Sequence, residues 1–167
     1  MNKNPISKRI DIDFFPAKVN LAMLYNRMGK NAEAELLLKD VILGYPEMGD
    51  IHYSLGLLLA EMQKYSEAIQ YLKNAAELLP ANGRIFYNLG QLQDFVGDTI
   101  TAETSLIAAN TFDPEAVDIQ IALIDFYLKH KQFEKAKLLA LRYKKSFPDD
   151  QSIDQVIDYI NNQFTNK

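Results

Sequence analysis

The sequence predicts an all-α solenoid of four stacked helix pairs, closed at its C-terminal end by one further helix. Three observations predict it. Pro46, Pro80, Pro114 and Pro148 stand 34 residues apart; Ala34, Ala68, Ala102 and Ala136 keep the same spacing; so do Leu21, Leu55, Leu89 and Leu123. A period of this length, held in register without a gap, marks an array in which each unit buries its apolar face against the next. The units fall at residues 15–48, 49–82, 83–116 and 117–150.

Each unit reads as two helices. In the second unit, Ile51, Leu55, Leu58, Leu59 and Met62 recur at helical spacing. After Gln63 and Lys64, a second amphipathic stretch follows, with Tyr65, Ala68, Ile69, Leu72, Ala75 and Ala76 on one face. Pro80 then ends it, because proline lacks an N–H and its ring clashes with the preceding turn. Gly29 and Gly97 fall at the break between the two helices, where a positive φ costs glycine little. Small residues beside the leucine series (Ala22, Gly56, Gly90) let the paired helices approach closely. In the last unit Ile124 fills that place and Tyr143 stands where Ala75 and Ala109 stand, so its packing is expected to be looser or adjusted to the end of the array.

Leu-Gly, then an aromatic or leucine, Ala, an aromatic or leucine, Ala and Pro is a pattern that resembles the tetratricopeptide repeat. Tyr53-Ser54-Leu55-Gly56 through Tyr65-Ser66-Glu67-Ala68 to Pro80 carries it best, with Phe86-Tyr87-Asn88-Leu89-Gly90 through Ala102, Leu106, Ala109 and Pro114 close behind. The resemblance covers residues 15–150. It implies a right-handed superhelix whose first helices line a concave groove, and a module that binds a peptide segment of another protein. Carried over by position, the implied groove residues are Val19, Met23, Asn26 and Arg27 in the first unit. The second supplies Asp50, Tyr53, Leu57 and Glu61, and the third Arg84, Tyr87, Gln91, Asp94 and Phe95. The fourth supplies Asp118, Ile121, Asp125, Leu128 and Lys129. Tyr53 and Tyr87 occupy equal positions and are expected to stack as neighbours along the groove wall, offering large contact areas with few rotors. The alternative is that both only cover adjacent helices.

One family activity fails on the residues. The clamp that captures the C-terminal carboxylate of heat-shock chaperones uses lysines, asparagines and an arginine. Here its positions hold Val19, Met23, Ser54, Arg84 and Asn88, or, shifted by one unit, Tyr53, Leu57, Asn88, Asp118 and Ala122.

The ends read differently from the middle. Residues 151–167 place Ile153, Val156, Ile157, Ile160 and Phe164 on one stripe, as a capping helix would, with Ser152 and Gln155 as an N-terminal capping box. Residues 1–14 read as a lead-in, and Ile10-Asp11 aligns with the tail of an earlier repeat. A second functional reading follows: an accessory array of a larger enzyme or secreted protein, such as a glycosyltransferase or a multihaem cytochrome.

Composition narrows the chemistry. The 167 residues carry a net charge of −4, which disfavours a nucleic-acid binder working by phosphate neutralisation. With no cysteine, disulfides, thiolate metal sites and thiol nucleophiles are absent. His52 and His130, the two histidines, lie far apart without partners at metal-ligand spacing. The basic residues Lys135, Lys137, Arg142, Lys144 and Lys145 read as a solvated face. No catalytic residue, cofactor or metal is expected, nor a nucleic-acid or membrane partner. Expected partners are a protein or peptide, with self-association through the end helices open. The compartment reads as cytoplasmic, or periplasmic if the chain belongs to a longer secreted protein.

Overall fold

The computed structural model describes the backbone of residues 5–165 and the side chains of residues 15–164. Among the described residues there are nine α-helices and no strand. They are α1 (Pro5–Arg27), α2 (Asn31–Gly44), α3 (Gly49–Glu61), α4 (Tyr65–Leu78), α5 (Gly83–Phe95), α6 (Thr99–Phe112), α7 (Val117–Lys129), α8 (Phe133–Ser146) and α9 (Ser152–Thr165). The main packing runs from each helix to the next in sequence, which is the quasi-linear order of a solenoid.

Each helix pair is closed by one device. The residue at the break takes a left-handed conformation: Gly29 (φ 72°), Gln63 (61°), Gly97 (88°) and Lys131 (56°), again 34 apart. The following amide then reaches back five residues, Lys30 to the Tyr25 carbonyl at 2.8 Å and Lys64 to Leu59 at 2.9 Å. Asp98 bonds Gln93 at 2.9 Å and Gln132 bonds Tyr127 at 2.8 Å in the same way. These are Schellman closures, which satisfy carbonyls left over at a helix end. At the far end of α2, α4, α6 and α8, the residue before each proline leaves the helix, with φ from −140° to −123° and ψ from 64° to 71°, as steric conflict with the proline ring requires.

Glycine sets how close the paired helices come. A Cβ at Gly56 would lie 2.8 Å from Cγ of Leu72, and one at Gly90 2.8 Å from Cγ of Leu106. In the last pair the sizes are exchanged. Ile124 replaces the glycine and Ala140 replaces the leucine, both fully buried in one cluster with Tyr143 and Ile153. Accordingly α7 and α8 approach less closely than α3 and α4 or α5 and α6. The Tyr143 hydroxyl donates to Asp150 at 2.8 Å, so the oversized residue ties the last pair to α9.

The two ends also differ from expectation. α1 runs on through the anticipated lead-in to Pro5, with Pro16 inside it. Side chains before residue 15, including Ile10 and Asp11, lie outside the described residues. Leu21 is 39% exposed while its counterparts Leu55, Leu89 and Leu123 are at most 4% exposed. At the C-terminus Ile153 and Ile160 are buried. The capping box gives way to a different cap: Asp150 accepts from the amide of Ser152 at 2.9 Å and from its hydroxyl at 2.6 Å.

Candidate functional site

The first helices α1, α3, α5 and α7 are joined directly by hydrogen bonds between residues one period apart. Asn26 Nδ2 donates to Glu61 at 2.8 Å, and Asn88 Nδ2 to the Tyr53 hydroxyl at 2.6 Å. Arg84 donates to Asp118 at 2.5 Å and Lys129 to Asp94 at 2.7 Å. These cross-braces run along the groove face and use many of the polar residues assigned to it.

The Tyr53–Asn88 brace has no counterpart one period on. Tyr53 meets Asn88, but one period later Tyr87 meets Ala122, which has no donor. At this position a cavity of about 490 Å³ opens between α5 and α7, lined by Tyr87, Gln91, Asp94, Asp118, Ile121, Ala122, Asp125, Phe126 and Lys129. Seven of these belong to the predicted groove set. Ala122 appeared only as a failed clamp position. Phe126 is 3% exposed and occupies the core position filled elsewhere by Leu58, so nothing in the pattern distinguished it.

The cavity is electrostatically uneven. At one end Arg84 pairs with Asp118, holding that carboxyl below its usual range, and the guanidinium lies 5.1 Å from the Tyr87 ring centre. At the other end Asp94 accepts from Lys129 at 2.7 Å and from His130 Nε2 at 2.6 Å. Burial works to raise the Asp94 pKa, but those two donors outweigh it and the carboxyl sits below its ordinary value. Asp125, between the two ends, has loss of hydration as its only influence and is pushed above the usual range.

The remaining predicted residues lie elsewhere. Val19 packs into the core of the first units, Met23 is 52% exposed, and Arg27, Asp50 and Glu61 are exposed while Leu57 is half-buried. Leu128 packs into the core beside Leu139 and Val156. Phe95 sits at the end of α5 with its ring edge-on to Tyr65, centroids 5.0 Å apart, so it borders the inter-helix turn and not the cavity. Tyr53 and Tyr87 do not stack among the described aromatic contacts. Tyr53 packs with Ala75, Ala76 and Ile85, and Tyr87 against the cluster of Ala102, Leu106 and Leu123.

Away from the groove, His52 is buried and its Nε2 donates to the Pro46 carbonyl at 2.8 Å. Among the described residues no group of three or more His, Asp or Glu is arranged to hold a metal, and no helix is long and apolar enough to cross a membrane. The basic face of α8 is partly consumed by ties: Lys135 to Glu103 at 2.6 Å and Lys144 to Asp154 at 2.7 Å.

Residues 19–83 match the tetratricopeptide repeat family model. Among solved structures, a double mutant of MamA RS-1 superposes with TM-score 0.78 at 20% identity, over 92% of this chain and 86% of that one. MamA from Desulfovibrio magneticus RS-1, residue 41 to the end, gives 0.72 at 17% identity, over 82% and 77%. An O-GlcNAc transferase mutant of Thermobaculum terrenum gives 0.66 at 22% identity, over 87% of this chain and 27% of that one. At such identities these likenesses speak to the fold alone. No curated protein matches the sequence significantly. Residues 19–83 thus carry the tetratricopeptide repeat, and the same helix-pair geometry continues through to α8, a fold that serves in general as a scaffold for protein interaction.

Proposed function

We propose that this chain is a binding scaffold whose concave face holds an extended segment of a partner polypeptide, seated at the cavity between α5 and α7. The observation that carries this reading is the open space between α5 and α7. Arg84–Asp118 and Lys129–Asp94 span the two ends of the interval between α5 and α7, while between them Ala122 offers Tyr87 no donor and a 490 Å³ space stands open. Its mixed lining of aromatic, aliphatic and polar groups is the usual make-up of a recognition site. A second reading, an accessory array within a larger protein, draws on the transferase likeness, where the matched part is 27% of that chain.

The test is retention of peptides from a randomised synthetic pool on immobilised protein. Wild type should retain a subset that Tyr87→Ala and Tyr53→Ala/Tyr87→Ala lose, since truncating a hot-spot tyrosine costs roughly 2 kcal/mol or more. Circular dichroism checks that each variant is equally helical. Unchanged retention by both variants sinks the groove assignment.

A further inference from the structure

Three carboxylates line the cavity, and two are already satisfied by the wall. Asp118 holds Arg84, and Asp94 holds both Lys129 and His130. Asp125 has no hydrogen-bond or ion-pair partner among the described residues. Its natural helical partner would be Lys129, four residues on, yet the Lys129 ammonium is drawn across to Asp94 on the neighbouring helix. The cations bordering the cavity are thus committed, and one carboxylate remains open inside it with one net negative charge unmatched.

The surroundings of that carboxylate are apolar on the sides that matter. Ile121 lies one turn before it on α7, Phe126 next to it, and Tyr87 faces it from α5. Loss of hydration already holds the Asp125 carboxyl above its ordinary range with no donor to offset the cost. An unpaired carboxylate at the mouth of such a space gains from a cation that arrives with its own apolar stem. Lysine and arginine side chains have that shape.

We propose that the cavity between α5 and α7 takes a lysine or arginine side chain of the partner segment, its cationic head closing on Asp125 and its alkyl stem lying against Ile121 and Tyr87. This rests on the groove reading above and names the chemistry of its occupant. An acidic or purely apolar segment fits worse: the first meets unmatched negative charge, and the second covers Asp125 without offering it a donor.

The experiment uses synthetic nonapeptide pools, randomised except for a central position fixed as lysine, arginine, norleucine, glutamine or glutamate. Each pool is passed over immobilised wild type, Asp125→Asn and, as a control of equal charge change, Glu77→Gln on the outer face of α4. Wild type and Glu77→Gln are expected to retain the lysine and arginine pools about tenfold or more over norleucine and glutamate, the strength of a hydrogen bond to a charged group. Asp125→Asn should lose that preference while melting no lower than wild type, because it removes an unpaired charge. Equal retention of norleucine and lysine, or a cation preference surviving in Asp125→Asn, overturns the proposal and leaves the groove reading standing. Retention of no pool by wild type overturns both.

Discussion

The exchange of bulk between repeats can be tested by transplanting it. In the third pair Gly90 faces Leu106; one period later the same two places hold Ile124 and Ala140. Both members of each pair are at most 4% exposed where they carry side chains, so neither can swing outward. A Cβ at Gly90 would come within 2.8 Å and 3.0 Å of Leu106 Cγ and Cδ2, and within 3.1 Å of its backbone nitrogen. Ordinary carbon contacts lie near 3.5–4.0 Å, and a backbone contact yields only if α6 moves. Gly90→Ile therefore forces overpacking, about 1–3 kcal/mol and more if α6 cannot yield. Leu106→Ala alone leaves a cavity costing about 2–5 kcal/mol. The double substitution Gly90→Ile/Leu106→Ala copies the arrangement of the last pair, and the isoleucine fills the space the leucine vacates. The double should thus be more stable than the sum of the singles implies, by about 1–3 kcal/mol of coupling. Urea unfolding followed by helical circular dichroism measures all four proteins. Additive losses would refute the claim that these two places share one volume.

Other outcomes follow from single positions. Gln63 and Lys131 hold left-handed φ without being glycine, so Gln63→Gly and Lys131→Gly should each raise stability by about 0.5–1 kcal/mol, whereas Gly97→Ala should lower it; urea midpoints decide. Glu35, 8% exposed, accepts from Lys39 at 2.6 Å and Lys64 at 2.7 Å. Burial pulls its pKa up, but the two lysines prevail and hold it below the usual range. Its contribution is therefore present above about pH 4.3, the unfolded value, and lost as pH falls through the lower folded value. Glu35→Gln should cost about 1–2 kcal/mol at pH 7, with the gap to wild type closing in acid, as unfolding curves at several pH values would show. Ala122→Asn should supply the missing brace to Tyr87, raising the thermal midpoint while reducing peptide retention; loss of stability would mean that the cavity is not simply an unbridged space.

Much of the fold was legible because one sequence period repeats one set of physical constraints. Proline at 46, 80, 114 and 148 ends a helix in each unit, and the alanine series and all of the leucine series but Leu21 face a core. The left-handed break was visible at Gly29 and Gly97 but not at Gln63 and Lys131, whose side chains announce no such conformation. Ile124 stood out as a departure; Ala140, which compensates it, did not, because alanine is unremarkable until its partner across the helix pair is known. Seven residues of the groove set line one cavity, while others assigned by position alone lie away from it. Phe95 and Leu128 hold groove positions by count, yet one turns to Tyr65 and the other enters the core, outcomes set by neighbours on other helices.

A repeat array has a difficulty in becoming specific: similar units offer similar surfaces, and the cross-braces between first helices consume polar groups on that face. Asn26 with Glu61, Tyr53 with Asn88, Arg84 with Asp118 and Asp94 with Lys129 join residues 34 or 35 apart. A ligand would have to compete with each of them. The combination of Tyr87 with Ala122 escapes this by omitting the donor, and Asp125 escapes it by losing Lys129 to Asp94. Both departures fall between the same two helices and line the same space. Each on its own would be a minor irregularity in packing. Together they leave a space between the two braces that join α5 to α7, and within it a carboxylate to which the neighbouring helices offer no donor.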